Sequence, residues 1–326
     1  MNPMNPWLAV LLFIIGLALV IKGGDFFVDA SVWVSDVSGI PKAVIGATLV
    51  SFATTAPELF TSLIATVQGS NGIAVGNAVG SPIANIGLGF ALIAVATPGS
   101  IRDKLYSVKS VLMIAAAGLL FWFSQSGKLV IWQSCVLFAL FFISMVVNIK
   151  FSKDSDSKKT AAKRPKPSGR EKFTNIAKFI IGAAGIIFGA KLLVDSGTAL
   201  AKFLGWSETV IGLTIVAIGT SLPEIVTAIT AVIKKQNALS IGNIIGANVL
   251  DLTMILAICG LVSGGTLTIE AETARTDMPI SLIIMALAAI PTAIGKKIYR
   301  WQGILIFLVY AAYLVLITLF PGAYLL

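Results

Sequence analysis

The sequence contains no histidine, and only 12% of its 326 residues are charged. Soluble domains carry roughly 25% charged residues, so the composition argues against a soluble fold. Without histidine, the chain lacks the commonest zinc ligand and the usual catalytic base near neutral pH. Its two cysteines, Cys135 and Cys259, lie in apolar runs and are predicted to be core residues, not a disulfide or a metal pair. We expect neither an enzyme nor a cofactor.

Long apolar runs occupy most of the chain, with 57% hydrophobic residues and a mean hydropathy of +0.94. They predict an all-α polytopic membrane protein, because lipid cannot satisfy open backbone groups. A β-barrel would show short alternating strands instead. Met1 to Trp7 include no basic residue, so we expect a retained first helix and no cleaved signal peptide. Ten transmembrane helices are predicted, at residues 7–35, 42–67, 72–97, 108–125, 129–149, 175–203, 208–233, 238–263, 278–294 and 301–320.

A basic segment separates the fifth and sixth predicted spans. Residues 150–178 hold ten basic and three acidic residues. Binding of anionic lipid or nucleic acid is one interpretation. We favour a flexible cytoplasmic linker that follows the positive-inside rule, with no nucleic-acid partner. The N-terminus then lies outside a cell membrane, inner or plasma, and the other basic loops also fall inside.

The two halves of the sequence align without a gap at one constant offset, the difference between positions 58 and 224. The segment Val44–Glu58 matches Val210–Glu224, and Gly76-Asn77 matches Gly242-Asn243. Each half has five predicted spans, so the second copy must enter the membrane from the opposite side. We predict two inverted five-helix repeats, residues 1–149 and 175–326, joined by a basic cytoplasmic linker over 150–174 into one transport domain. Secondary transporters built this way bind their substrate near the midplane between the repeats.

Each half carries a glutamate directly after a proline, within a predicted span. Glu58 and Glu224 would cost several kcal/mol in the membrane unless something binds them. Pro57 and Pro223 should kink or break their helices and free backbone carbonyls upstream. Carboxylates, hydroxyls and carbonyls together suit calcium or sodium. A packing role with snorkelling glutamates is the alternative, and the mid-span position argues against it.

The third and eighth spans add a second polar piece. Gly76-x-x-x-Gly80 and Gly242-x-x-x-Gly246 are small-residue faces that allow helices to approach closely. Asn85 and Asp251 follow five residues later. With both glutamates, Asp251 would bring up to three negative charges, which match a dication better than one monovalent ion, and close carboxylates favour a proton on one of them.

These motifs resemble the alpha-repeats of the cation/calcium exchanger superfamily, and most closely its small prokaryotic sodium/calcium exchangers. The residues that carry the resemblance are Thr220-Ser221-Leu222-Pro223-Glu224 and Gly76-Asn77-Ala78-Val79-Gly80-Ser81. The resemblance implies antiport of calcium against sodium by alternating access, typically three sodium ions for one calcium. It also implies that the first and sixth helices slide as a gating pair, and we expect a functional monomer.

The resemblance further implies a set of ligands. Calcium would bind Glu58 and Glu224 with backbone oxygens of Thr54 and Thr220, in a central site also bounded by Asn85 and Asp251. One flanking sodium site would use Ser51, Thr54, Thr55, Ser81 and Glu58. Its mirror would use Ala217, Thr220, Ser221 and Glu224 with the residue at 247.

The sequence departs from the family pattern in three places. Ala53-Thr54-Thr55-Ala56 stands where the family has Gly-Thr-Ser-Leu, Pro82 predicts a second break in the third helix, and Ala247 replaces a ligating serine. Because of Ala247, a proton-coupled antiporter of calcium or another divalent cation is the alternative function. A cation channel and an intramembrane hydrolase are further alternatives. The inverted repeat argues against the channel, and the absence of histidine and of an evident nucleophile argues against the hydrolase.

Overall fold

The protein is described here from a computed structural model that covers residues 5–101, 106–150, 167–204 and 217–319. In these ranges, nine helices are long and apolar enough to cross a membrane. A tenth, shorter apolar helix spans Leu222–Ile233, preceded by the helical turn Ala217–Thr220. The predicted beginning of the seventh span, residues 208–216, lies outside the described residues, as does most of the basic linker. The helices are α1 Pro6–Ser38, α2 Lys42–Val67, α3 Asn71–Ala96, α4 Tyr106–Ser124, α5 Ile131–Lys150, α6 Gly169–Phe203, α7 Leu222–Ile233, α8 Asn237–Val262, α9 Thr273–Gly295 and α10 Arg300–Leu319.

The described loops contain four very short strands, and their pairing indicates how many times the chain crosses the membrane. Strand β1 (Gly99–Ser100) pairs with β4 (Lys297–Ile298), and β2 (Lys128–Val130) pairs with β3 (Thr266–Thr268), both antiparallel. Paired loops lie on the same face, so an even number of crossings must separate them. Between β2 and β3 lie α5, α6, α7 and α8, and the number of crossings is even only if α7 is counted as one of them. The strand pairing therefore supports ten spans, with the two halves in opposite orientations.

Helix α6 begins earlier than the sequence predicted, at Gly169 and not at 175. Ser168 caps its N-terminus, because the Ser168 side chain accepts a hydrogen bond from the backbone N–H of Glu171 at 3.1 Å. Serine followed three residues later by glutamate is the pattern of a capping box. Glu171 also accepts a hydrogen bond from the Trp33 indole at 2.8 Å, which joins the first turn of α6 to α1.

Helices α1 and α6 pack against each other along glycines that obey the repeat. A Cβ built on Gly16 would lie 2.9 Å from the Gly189 carbonyl oxygen, and a Cβ built on Gly23 would lie 2.8 Å from that of Gly182. The offset between the halves relates Gly16 to Gly182 and Gly23 to Gly189, so the two contacts are symmetry mates. Any larger residue at these points would force the helices apart.

Helix α8 lies at the centre of the molecule. Within an apolar stretch of 18 residues in each helix, 89% of the residues are buried in α8, 28% in α1 and 22% in α6. Gly46 and Gly242 allow α2 and α8 to touch through their backbones, since a Cβ on Gly242 would overlap the Ala43 carbonyl group. The α1–α6 pair therefore lies at the periphery, while α2 and α8 form the core that carries the polar motifs.

Candidate functional site

The two glutamates lie in irregular stretches of helix, as predicted, but the irregularity differs between the repeats. In α2 a π-helical turn covers Gly46–Val50, and the helix then continues from Ser51 through Pro57. In the other repeat the helix is interrupted at Ser221, and Pro223 lies in the first turn of α7. The predicted break is therefore found before Pro223, whereas at Pro57 the helix is not interrupted. π-Helical turns are frequent at functional sites.

Two asparagines, which the sequence analysis did not include among the ligands, hold the glutamate backbones. The Asn77 side chain donates to the Glu58 carbonyl oxygen at 3.1 Å, and the Asn243 side chain donates to that of Glu224, also at 3.1 Å. The offset between the halves relates the two bonds. The match of Gly76-Asn77 with Gly242-Asn243 was the signal that could have identified them.

Buried oxygen atoms without hydrogen-bond partners concentrate at this place. Every buried carboxylate oxygen without a partner in the described part of the chain belongs to Glu58, Glu224 or Asp251. Each of these three residues is 1% exposed. The oxygens of the candidate ligands in this condition are Glu58 Oε1 and Oε2, Ser81 Oγ, Asn85 Oδ1, Ser221 Oγ, Glu224 Oε2 and Asp251 Oδ1. Buried polar atoms are normally satisfied, so this concentration of acceptors is the chemistry of a cation site.

The carboxylates are close enough to repel one another. Glu58 experiences the charges of both Glu224 and Asp251. Among the described residues, however, no three Asp, Glu, Cys or His side chains converge on a point where they could share one metal ion. In this conformation the three carboxylates therefore do not form one metal-binding group by themselves. A calcium ion takes six to eight oxygens, so carbonyls, hydroxyls or water would have to complete its ligands.

The two glutamates are not equivalent in their side-chain contacts. The Thr55 hydroxyl donates to Glu224 Oε1 at 3.0 Å, across the boundary between the repeats. Its symmetry mate would join Ser221 to Glu58, but Ser221 Oγ and both carboxylate oxygens of Glu58 have no partner among the described residues. In this conformation Glu224 is therefore held by a hydroxyl, while Glu58 is available on both oxygens.

The hydroxyl residues of α2 face the other repeat. The Thr54 hydroxyl lies 3.5 Å from Asn243 Oδ1, and a Cβ built on Gly246 would lie 2.7 Å from Ser51 Oγ. These contacts of Ser51 and Thr54 are with α8, while the rest of the helix Ser51–Val67 also packs against Asn71–Ala84 of its own repeat, so the expected group of Ser51, Thr54 and Thr55 with Ser81 stays a prediction. On the other side, the turn Ala217–Thr220 packs against Asn71–Ala84, the first part of α3. The candidate ligand segments therefore make contacts both within and between the repeats.

Asn85 and Asp251 begin or lie within matching π-helical turns, Asn85–Phe90 and Leu250–Ile255. The Asn85 side chain donates to Asn248 Oδ1 at 3.1 Å, a contact the sequence analysis missed. Pro82 does not break α3 as predicted, because the α-helix continues to Ala84 and changes to π-helix only at Asn85. Asn85 and Asp251 are both buried between the repeats.

The small-residue faces behave as predicted in one repeat. Gly242 and Gly246 contact the α2 backbone at Ala43 and Ala47, which brings α8 and its polar residues to α2. The equivalent partners of Gly76 and Gly80 would be residues 209 and 213, which lie outside the described residues. The side chain of the candidate residue Ala217 is also outside them.

Known proteins are similar to this chain in both sequence and fold. The family model for sodium/calcium exchanger proteins matches residues 8–150 and 174–319. The sodium/calcium exchanger MaX1 of Methanosarcina acetivorans is 29% identical, over 94% of this chain and 97% of MaX1. The inner membrane protein YrbG of Escherichia coli is 33% identical, over 87% of this chain and 88% of YrbG. A solved structure of the sodium-calcium exchanger NCX_Mj, soaked with sodium and strontium, has a TM-score of 0.81 at 31% identity, over 94% of this chain and 98% of that one. The chain is a multi-pass membrane transporter and not an enzyme, and it belongs to the sodium/calcium exchanger protein family.

Proposed function

We propose that this protein exchanges calcium for sodium across the cell membrane by alternating access, and that Glu58 and Glu224 bind the transported calcium. The observation that carries the proposal is the concentration of buried, unpartnered oxygens around these two carboxylates. The sodium/calcium exchanger family and the solved structure of NCX_Mj support calcium and sodium as the two transported ions. The ligands that we assign are those predicted from the sequence, with Asn77 and Asn243 as positioning residues.

Electrostatics couples the two ions. Two buried carboxylates without a cationic partner are costly in a membrane, and no ion pair to Glu58 or Glu224 is found among the described residues. One calcium ion neutralises both charges, and two or more sodium ions can do the same. Because both cargoes need the same glutamates, binding of one displaces the other. The protein then changes between its two alternating-access states while either calcium or sodium compensates the charge of the two glutamates.

The inverted repeat supplies the alternation. Ser51 and Thr54 contact α8, and the turn Ala217–Thr220 packs against α3, so both repeats contribute to the interface around the glutamates. We assign the α1–α6 pair, which is peripheral and joined along glycines, as the part that moves across this core. We further propose that one chain is the functional unit, with the N-terminus outside and the basic linker in the cytoplasm.

Purified protein in liposomes tests the exchange. Vesicles loaded with sodium and diluted into choline should take up calcium-45, and collapse of the sodium gradient with an ionophore should stop the uptake. Glu58→Gln and Glu224→Gln should each abolish it, whereas Gln125→Ala, a change in an exposed loop, should not. Uptake that ignores the sodium gradient would sink the sodium coupling.

Proton coupling is the second candidate, and Ala247 is the observation that favours it. The repeat places alanine there where Ser81 stands in the first half, so one half-site lacks that hydroxyl. A carboxylate that holds a proton could then replace a sodium ion. Calcium uptake driven by a pH gradient in vesicles free of sodium would favour this function over the first.

A further inference from the structure

The proposed central site has three carboxylates, those of Glu58, Glu224 and Asp251, and one amide, that of Asn85. A carboxylate presents an oxygen acceptor whichever way it turns, whereas an amide has an acceptor on one side and N–H donors on the other. Only the oxygen side suits a cation or the hydrogen atoms of the water that hydrates it. Asn85 is fully buried, so a neighbouring side chain must fix which side of its amide faces the ion.

Asn248 contacts the donor side of the Asn85 amide. The Asn85 Nδ2 atom donates to Asn248 Oδ1 at 3.1 Å, across the boundary between the repeats. The Asn85 Oδ1 atom, on the opposite side of the amide, is buried and has no hydrogen-bond partner among the described residues. The helical turn that it belongs to, Asn85–Phe90, packs against α7, which carries Glu224 in its first turn. The bond to Asn248 therefore leaves the oxygen of Asn85 as the available acceptor.

Met113 of α4 fixes the orientation of Asn248 in turn. The Asn248 Nδ2 atom donates to Met113 Sδ at 3.7 Å. A thioether sulfur accepts hydrogen bonds and cannot donate one. Asn248 must therefore turn its N–H group to Met113 and its oxygen to Asn85. Asn248 is fully buried and Met113 is 1% exposed, so bulk water does not compete for these groups.

The other repeat has a different pair of residues at the equivalent positions. The offset between the halves relates Asn248 to Pro82 and Asn85 to Asp251. The proline side chain has no polar group that could orient a neighbour, and the carboxylate of Asp251 needs no orientation to present an oxygen. The orienting asparagine is therefore found only where the residue of the central site is an amide.

We propose that Asn248 is a positioning residue of the central site, which turns the Asn85 side-chain oxygen toward the transported cation or its hydrating water. Without Asn248, the N–H group of Asn85 loses its partner, and the amide is free to turn its donors to the ion and weaken binding. Asn248 acts through Asn85 and needs no contact with the ion itself. The inference rests on the proposed function, because it assumes that a cation binds beside the two glutamates.

Two substitutions at Asn248 separate positioning from packing. Asn248→Leu keeps the branched shape of the side chain and removes its polar groups, so it should raise the calcium concentration for half-maximal calcium-45 exchange by about tenfold. Asn248→Asp should stay within roughly threefold of wild type, because a carboxyl group keeps an acceptor for Asn85 and, when protonated, a donor for Met113. A residue that only packed the interface would instead tolerate the apolar side chain better than the acidic one.

Met113→Leu tests the other end of the chain of hydrogen bonds. It removes the sulfur acceptor that sets the direction of Asn248, and it should raise the half-maximal calcium concentration by about threefold. Asn148→Leu is the matched control for Asn248→Leu. Asn148 is also buried, at 6% exposed, and its side chain donates to the Ser144 carbonyl of its own helix at 2.9 Å. The control should leave the calcium dependence unchanged.

The outcomes distinguish this proposal from the proposed function. A wild-type calcium dependence in Asn248→Leu, or an Asn248→Asp variant as weak as Asn248→Leu, would overturn the positioning role while sodium-driven calcium uptake by the wild type stands. A loss of the same size in Asn148→Leu would also overturn it. If Asn248→Leu does not fold, Met113→Leu decides, and a calcium dependence equal to that of wild type would refute the proposal. A wild type without sodium-driven uptake would instead refute the proposed function.

Discussion

The unequal side-chain contacts of the two glutamates predict an unequal response to removal of a hydroxyl. Thr55→Val deletes the bond of 3.0 Å to Glu224 and keeps the shape of the side chain. Ser221→Ala, at the equivalent place in the other repeat, deletes a hydroxyl that has no partner among the described residues. The chain therefore provides its own symmetry-related control.

The size of the effect follows from the charge of the acceptor. Hydrogen bonds between transmembrane helices average about 0.6 kcal/mol and reach about 1.7 kcal/mol. Bonds to charged groups contribute about 1.5–3 kcal/mol. The two ranges overlap at about 1.5 kcal/mol, which we expect Thr55→Val to cost in the cation-free protein. Ser221→Ala should change stability by less than about 0.5 kcal/mol, because no bond is lost.

Thermal unfolding of the protein in choline chloride with a calcium chelator measures both variants. For a chain of this size, Thr55→Val should lower the midpoint by about 3 °C, and Ser221→Ala should leave it within about 1 °C of wild type. Equal losses in the two variants would show that the glutamates are held alike. A silent Thr55→Val would show that the bond to Glu224 contributes nothing.

Three further variants test the packing and the periphery. Gly242→Ala should abolish calcium uptake, because its Cβ would overlap the Ala43 carbonyl and lie 3.1 Å from Ala43 Cα. The control Gly118→Ala should transport normally, because a Cβ there meets nothing within 4 Å. Equal uptake in both variants would contradict the close contact between α2 and α8. Asn243→Ala should weaken calcium binding about tenfold in a direct binding assay, since the Glu224 carbonyl loses its bond of 3.1 Å, and unaltered binding would argue against the positioning role. Lys234→Gln removes an ion pair of 2.7 Å to Asp29, in which the Lys234 and Asp29 side chains are 24% and 48% exposed. The free energy of unfolding, measured in choline, should fall by less than about 1 kcal/mol, and high salt should abolish the difference from wild type. A larger loss of stability would mean that the pair is shielded from solvent.

The number of spans and the internal repeat could be predicted from the sequence because both depend on local composition and on register. The earlier start of α6 was also present in the sequence, as the Ser168-x-x-Glu171 cap, but the basic residues around it obscured the apolar pattern. The predicted break at Pro82 was wrong, and at Pro57, where we predicted a kink or a break, the helix is not broken. A proline removes one hydrogen bond, and a membrane helix packed against its neighbours can continue through it, as α2 and α3 do.

The contact between α2 and α8 could not be predicted in the same way. The offset between the halves relates Ser51 to Ala217, but equivalence under a repeat does not tell which residues touch. Contact between Ser51 and α8 depends on the backbone approach at Gly242 and Gly246, a property of the assembled helices. The sequence therefore predicted the candidate ligands, whereas the contact of Ser51 with α8 is found only in the assembled helices.

Calcium binding to the purified protein tests the central claim most directly. Titration calorimetry in choline should give one calcium ion per wild-type chain, and no measurable binding to either Glu58→Gln or Glu224→Gln at the same concentrations. The account requires both carboxylates, because it assigns Glu58 and Glu224 as the charged ligands of the one calcium ion. Calcium binding of wild-type affinity in either variant would contradict it.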